Sequence, residues 1–92
     1  MLIQVSQEDI DKAYKTWHSP SHLRCQTCPV ARAIKRTLNK AVFVFPESFS
    51  FEENGWGSRV SYELPRVATD FIHRFDTQKP VKPFQFEIEP IA

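Results

Sequence analysis

Hydrophobic positions at helical spacing recur in three parts of the chain. Val30, Ile34 and Leu38 follow Pro29 at intervals of four, which predicts an amphipathic helix from Pro29 to about Asn39. Proline suits the first helical position, where a missing N–H breaks no hydrogen bond. Similar stripes predict a helix that Ser6 caps and a third helix that Pro65 opens. Their apolar positions are Ile10, Ala13, Tyr14 and Trp17 in the first helix, and Ala68, Phe71, Ile72 and Phe75 in the third.

Apolar and polar residues alternate in the remaining segments, which is the period of a half-buried strand. The run Ala41–Phe45 has no polar residue, so it predicts a central strand with both faces buried. Asn54-Gly55 predicts a hairpin turn between the two strands that follow this run. The inward positions of the alternating strands are Phe49 and Phe51, then Val60, Tyr62 and Leu64, and finally Phe84, Phe86 and Ile88.

With the short apolar run Leu2–Val5, the element order becomes β-α-α-β-β-β-α-β. This order predicts a single α+β domain over residues 1–92, with a mostly antiparallel sheet and helices packed on one face. The sequence has no recognisable signal peptide and no apolar run long enough to cross a membrane. Its two cysteines are too few for a secreted disulfide scaffold, so we expect a cytoplasmic protein.

Charge is distributed unevenly, although the net charge is only +1. The first 40 residues hold seven Lys or Arg and three Asp or Glu, whereas the remainder holds five and eight. The two halves can attract each other between subunits, or the basic half can face an anionic ligand. Two solvated faces of a monomer are the alternative. Because eight Phe are many for so small a core, we expect a homo-oligomer.

The densest positive charge surrounds the start of the second helix, and no acid lies between Arg24 and Lys40. First-turn N–H groups have no partner within a helix, and the helix dipole is positive there, so an anion can bind. We predict phosphate binding at this position. The solvated face of an amphipathic helix is the alternative interpretation. The predicted phosphate-binding residues are Arg24, Arg32, Lys35 and Arg36.

Aromatic side chains provide the second part of the predicted site. Trp17, Trp56 or Tyr62 can stack on a nucleotide base. Trp56 follows Asn54-Gly55, where a tryptophan can instead clamp a hairpin or anchor a protein interface. The isoelectric point near 7.8 lies below that of typical duplex-binding domains, which disfavours double-stranded nucleic acid.

Zinc-ligand residue types cluster just before the second helix: His18, His22, Cys25 and Cys28. Cys-x2-Cys is a genuine ligand spacing, but one short loop would have to supply all four ligands. We therefore predict no metal and no cofactor, with Cys28 as a small buried thiol. A thiol at a helix start beside Arg24 ionises readily. Because no orienting group or oxyanion-hole motif accompanies it, we predict no catalytic residue and no enzyme.

Two segments resemble small phage and prophage proteins that have no assigned function. Cys28-Pro29-Val30-Ala31-Arg32-Ala33-Ile34 resembles their Cys-Pro-Val-Ala-x-Ala motif, and Phe71-Ile72-x-x-Phe75-Asp76 through Val81-x-Pro83-Phe84-x-Phe86 is similar to their end. In a phage the resemblance implies a counter-defence factor. One such class is a molecular sponge, an oligomer that sequesters a nucleotide signal of host immunity. The resemblance implies no catalytic residues.

The sequence thus predicts a protein that binds an anionic, nucleotide-like ligand in the host cytoplasm without transforming it. A module that inhibits a host defence enzyme through exposed aromatic side chains is one alternative. A single-stranded nucleic-acid binder is another. Nucleic-acid binding weakens steeply with salt, whereas an interface anchored by aromatic residues does not, so salt dependence separates the alternatives.

Overall fold

The computed structural model describes residues 1–15, 26–52 and 59–89. Within these ranges the elements follow the predicted order, and the α+β class is confirmed. No helix in the described ranges is long and apolar enough to cross a membrane. The elements are β1 (Leu2–Val5), α1 (Gln7–Lys15), α2 (Pro29–Leu38), β2 (Val42–Val44), β3 (Ser48–Glu52), β4 (Arg59–Glu63), α3 (Arg66–Asp76) and β5 (Phe84–Glu87).

The strands pair antiparallel, as predicted, but they form two sheets. β1 pairs with β5, which brings Ile3 opposite Phe86. β2, β3 and β4 form the second sheet, with β3 in the middle. In that sheet Phe51 lies opposite Val60, as expected for a hairpin around Asn54-Gly55; the turn itself lies outside the described residues.

The prediction that the apolar run Ala41–Phe45 is a central strand was wrong. β2 is an edge strand in the described part of the chain, and Phe45 is 45% exposed. α2 packs against β2, while the guanidinium of Arg59 lies 4.2 Å from the ring centroid of Phe43. The Arg59 guanidinium thus lies against one face of a ring that the sequence placed on a buried face of a central strand.

Helix α2 packs against α1, β1 and β2, so it is central to the core. Val30 and Ile34 are fully buried, and Leu38 packs against the core from a partly buried position. The predicted stripe of α3 is buried as well. On α1, Ile10 and Ala13 are buried, whereas Tyr14 is 41% exposed and rests on Phe75 at a centroid distance of 4.9 Å.

Candidate anion-binding site

The start of α2 is confirmed, and the Cys28 side chain caps it. The Sγ atom of Cys28 accepts a hydrogen bond from the N–H of Ala31 at 3.3 Å. Pro29, at the first helical position, has no N–H to donate, and Pro29, Val30 and Ala31 are all buried. The backbone at the helix start therefore offers an anion fewer donors than the sequence predicted.

A cleft of about 620 Å³ runs along the side of α2, between that helix and the beginning of α1. Three of the four predicted phosphate-binding residues, Arg32, Lys35 and Arg36, line it, while Arg24 lies outside the described residues. Basic side chains in the lining are Lys12, Arg32, Lys35 and Arg36; acidic ones are Glu8 and Asp9; the rest are Gln26, Thr27, Asn39, Ala41 and Val42.

Asp9 occupies the floor of this cleft because of the way α1 begins. The N–H of Ser6 donates to Oδ2 of Asp9 at 2.9 Å, and the N–H of Asp9 donates to Oγ of Ser6 at 3.2 Å. This reciprocal pair is a capping box, as the sequence indicates. It fixes the Asp9 carboxylate in the first turn of α1, where its side chain is only 2% exposed.

Arg36 binds this carboxylate through both terminal nitrogens of its guanidinium. Nη1 donates to Oδ1 of Asp9 at 2.7 Å, and Nη2 donates to Oδ2 at 2.9 Å. Nη2 also donates to the backbone oxygen of Gln4 at 2.9 Å. The stretch from Arg24 to Lys40 holds no acid, as the sequence shows, and the carboxylate that neutralises Arg36 comes from α1, 27 residues earlier in the chain.

The ionisation of this pair follows from its contacts. Burial by itself raises the pKa of Asp9, but hydrogen bonds from Arg36 and from the backbone and side chain of Ser6 outweigh it, so the pKa lies below its ordinary value of 3.8. The hydrogen bond to Asp9 in turn raises the pKa of Arg36. Both groups are charged at neutral pH, and Arg36 serves first to join α2, α1 and β1.

Among the described residues the cleft lining holds four basic and two acidic side chains, and Arg32 and Lys35 are the two cations without a hydrogen-bonded acid, although Arg32 forms a long ion pair with Asp9. Lys12 forms an ion pair with Glu8 at 2.7 Å, and its hydrogen bond and charge lower the pKa of Glu8. Nε of Arg32 lies 3.9 Å from Oδ1 of Asp9, which is too long for a hydrogen bond, and it has no hydrogen-bond partner among the described residues. Lys35 is exposed and forms no ion pair with any residue in the described ranges.

The predicted base-stacking residues are not assembled at this cleft. Tyr62 lies on β4 and is absent from the cleft lining; its ring packs on Phe49 and Phe51 at centroid distances of 5.6 and 5.9 Å. Trp17 and Trp56 lie outside the described residues. The described lining of the cleft contains no aromatic side chain, so it can recognise charge but supplies no stacking surface.

Sequence reasoning missed Glu8, Asp9 and Lys12 as parts of the site. The capping pattern after Ser6 correctly located Asp9 at the start of α1, and that was the available signal. Nothing in the local pattern indicates that this turn packs beside Arg36, because that contact joins positions 27 residues apart. A carboxylate at an otherwise buried helix position is the feature that points to such a partner.

Three of the four residues of zinc-ligand type, His18, His22 and Cys25, lie outside the described ranges. Cys28 is buried, as the alternative to a zinc site required. Within the described ranges, no group of three or more His, Cys, Asp or Glu side chains is arranged to hold a metal ion. The absence of a metal therefore stays a prediction.

No protein-family model matches the chain, and no curated protein or solved structure matches it either.

Proposed function

We propose that the α1–α2 cleft binds an anionic, nucleotide-like small molecule and holds it without chemical change. The observation that supports this most directly is the pair of excess cations, Arg32 and Lys35, in the cleft lining. They are three residues apart on α2, and residues at this spacing are neighbours on a helix surface. Arg36, which Asp9 fixes in place, extends the same positive face by one residue.

The chemistry of the two side chains suits phosphate. The planar guanidinium of Arg32 can donate two parallel hydrogen bonds to a phosphate, while the Lys35 ammonium adds a mobile point charge. Each charge-assisted hydrogen bond contributes roughly 1.5–3 kcal/mol. The cleft volume of about 620 Å³ falls within the usual range for small-molecule sites, which is sufficient for a nucleotide.

Binding without catalysis is supported by the state of the carboxylates. Glu8 and Asp9 are each held by a cation that lowers the carboxyl pKa. A general base works best when its pKa lies near the operating pH, so these groups suit charge balance better than proton transfer. They also shape specificity, because a ligand must place its negative groups at Arg32 and Lys35 and avoid Asp9.

The biological setting that we propose is a phage-encoded counter-defence factor that sequesters a nucleotide signal in the host cytoplasm. This part of the proposal rests on the resemblance of the segment from Cys28 to Ile34 to small phage proteins. A protein that sequesters a ligand needs high affinity for it and many copies of itself, but it needs no catalytic turnover. A cleft whose charged side chains are already held in place favours affinity.

Calorimetry against mono-, di- and cyclic nucleotides, inorganic phosphate and a single-stranded oligonucleotide tests the proposal. Arg32→Glu should abolish binding of the nucleotide that the wild type binds, since the change replaces an excess cation by an acid. Lys79→Glu is the matched control, because Lys79 is exposed in the loop after α3 and outside the cleft lining. The bound nucleotide should be recovered chemically intact.

Equal weakening by both variants would show that general charge attraction and not the cleft binds the anion. No binding to any member of the panel would reject the site. Binding confined to the oligonucleotide, with an affinity that falls steeply as salt rises, would instead identify a single-stranded nucleic-acid binder.

A further inference from the structure

Among the described residues, the outer side of β4 is an unpaired sheet edge. Within the described part of the chain, β4 pairs only with β3. The N–H of Leu64 donates to the backbone oxygen of Glu47 at 2.9 Å, and this contact continues the β3–β4 register by one position. Hydrogen-bonded pairs alternate along an antiparallel ladder. The N–H and C=O groups of Tyr62 and Val60, two and four residues before Leu64, therefore also point towards β3.

The intervening residues, Arg59, Ser61 and Glu63, therefore direct their N–H and C=O groups away from the sheet. None of the backbone hydrogen bonds that the described residues make outside helices and strands involves these three residues. Their side chains are exposed. The edge thus presents the guanidinium of Arg59, the hydroxyl of Ser61 and the carboxylate of Glu63 at regular intervals.

We propose that β4 pairs antiparallel with β4 of a second copy of this chain, around a two-fold axis at Ser61. In this register Ser61 exchanges two backbone hydrogen bonds with the partner's Ser61. Arg59 lies opposite the partner's Glu63, and Glu63 lies opposite the partner's Arg59. All outward N–H and C=O groups of the strand gain partners, and both cross-strand charge pairs are attractive.

Charge selects this register over its neighbours. A shift of two residues would place Ser61 opposite a charged residue and remove the attractive pairs. Parallel pairing would bring like charges side by side, which destabilises a sheet. The two-fold arrangement is also isologous, so it closes at a dimer instead of continuing into a fibre.

The inner face of the strand is compatible with the same register. Val60 and Tyr62 are half-buried, and Val60 would lie opposite the partner's Tyr62. Tyr62 already stacks on Phe49 and Phe51, so the dimer would continue an existing aromatic face across the axis. Burial of the remaining apolar surface of these side chains favours association.

Arg59 changes its side-chain conformation to form the charge pair. Its guanidinium lies over the ring of Phe43, 4.2 Å from the centroid. β2 and β4 lie on opposite sides of β3, so this contact directs the Arg59 side chain across the sheet and away from the outer side of β4. To pair with the partner's Glu63, Arg59 therefore exchanges the ring contact for a salt bridge by rotation about its side-chain bonds.

Reciprocal charge reversal tests this interface independently of the α1–α2 cleft. Light scattering over a concentration series from about micromolar to about millimolar should show the wild type shift from 10.7 kDa to twice that mass. Arg59→Glu places acids at both positions, and Glu63→Arg places bases at both. Each variant alone should raise the dimer dissociation constant about tenfold or more, because two attractive pairs become repulsive.

An equimolar mixture of the two variants should restore association, since every acid then faces a base across the axis. Lys82→Glu, an exposed charge outside the sheet, should dimerise like the wild type. A wild type that keeps the monomer mass at every concentration would overturn the proposal. So would two folded variants, verified by circular dichroism, that dimerise normally alone or fail to associate when mixed.

Discussion

The α1–α2 contact and the three-stranded sheet are stabilised by different kinds of interaction. The first depends on one buried carboxylate, Asp9, which accepts hydrogen bonds from the N–H of Ser6 and the guanidinium of Arg36. The second depends on apolar rings, because Phe49, Phe51 and Tyr62 stack with centroid distances between 5.6 and 6.5 Å. Polar contacts are directional and sensitive to charge, whereas ring packing responds mainly to volume.

This difference explains why the candidate site lies at the helices. A buried ion pair fixes Arg36 within a directional network, and the neighbouring Arg32 lacks an equivalent partner among the described residues. The described part of the three-stranded sheet offers no comparable set of charges on its inner face. Its contribution is a stable core that keeps β2 in contact with α2 and presents β4 at the edge.

The largest expected effect concerns the sheet. Phe49→Ala should lower the free energy of unfolding by about 3–5 kcal/mol, because Phe49 is fully buried and its loss leaves a cavity. Urea denaturation at two salt concentrations measures this loss, which should be the same at both. Val67→Ala is the control, since Val67 is 51% exposed and should change stability by less than about 0.5 kcal/mol. A loss below about 1 kcal/mol would contradict the packing described for Phe49.

Replacing the arginines of α2 should lower the free energy of unfolding by less than Phe49→Ala does. Arg36→Ala should cost about 1–3 kcal/mol, because it leaves the buried Asp9 carboxylate without its main donors. Arg32→Ala should cost much less, since its guanidinium makes no hydrogen bond to Asp9. Thermal denaturation of both variants at neutral pH measures the difference.

Equal losses of stability from Arg36→Ala and Arg32→Ala would mean that the two arginines share Asp9, and the assignment of Arg32 as an excess cation would then be wrong. The single variants Asp9→Asn and Arg36→Ala, together with the double variant that carries both changes, form a double-mutant cycle. If Asp9 and Arg36 act as a pair, the double variant should lose less stability than the two single losses added together.

The sequence predicted those parts of the fold that depend on local periodicity. The stripe Val30, Ile34 and Leu38 located α2, and the alternation around Phe49 located β3. The division into two sheets was not predictable in this way, because it depends on which strands meet in space. The edge position of β2 shows the limit: an apolar run indicates burial, but it does not indicate whether the strand has neighbours on both sides.

The same limit applied to the site. Sequence located the basic residues of α2 because they lie on one helix, and Arg32, Lys35 and Arg36 do line one cleft. It did not identify Asp9 as the partner of Arg36, because pairing between α1 and α2 is a tertiary contact. It also grouped Tyr62 with the cations, although β4 holds that ring against Phe49 and Phe51.

The smallest expected effect is the dependence of stability on pH through Asp9. Its pKa in the folded protein is lower than the ordinary value of 3.8, so the unfolded chain takes up a proton at a higher pH than the folded one. The stabilisation is therefore complete above the ordinary pKa and disappears as the pH falls through the lowered value. Denaturation between about pH 6 and pH 2 should show stability declining with acid in the wild type.

Asp9→Asn removes the titrating group while it keeps a side chain of similar shape, so its stability should depend less on pH over that interval. Asp11→Asn is the matched control on the same helix, because Asp11 is exposed and its side chain accepts a hydrogen bond only from Gln7 among the described contacts. This control should keep the slope of the wild type. If both variants flatten the curve equally, acid sensitivity comes from the general charge of α1, and the Asp9–Arg36 pair is not its source.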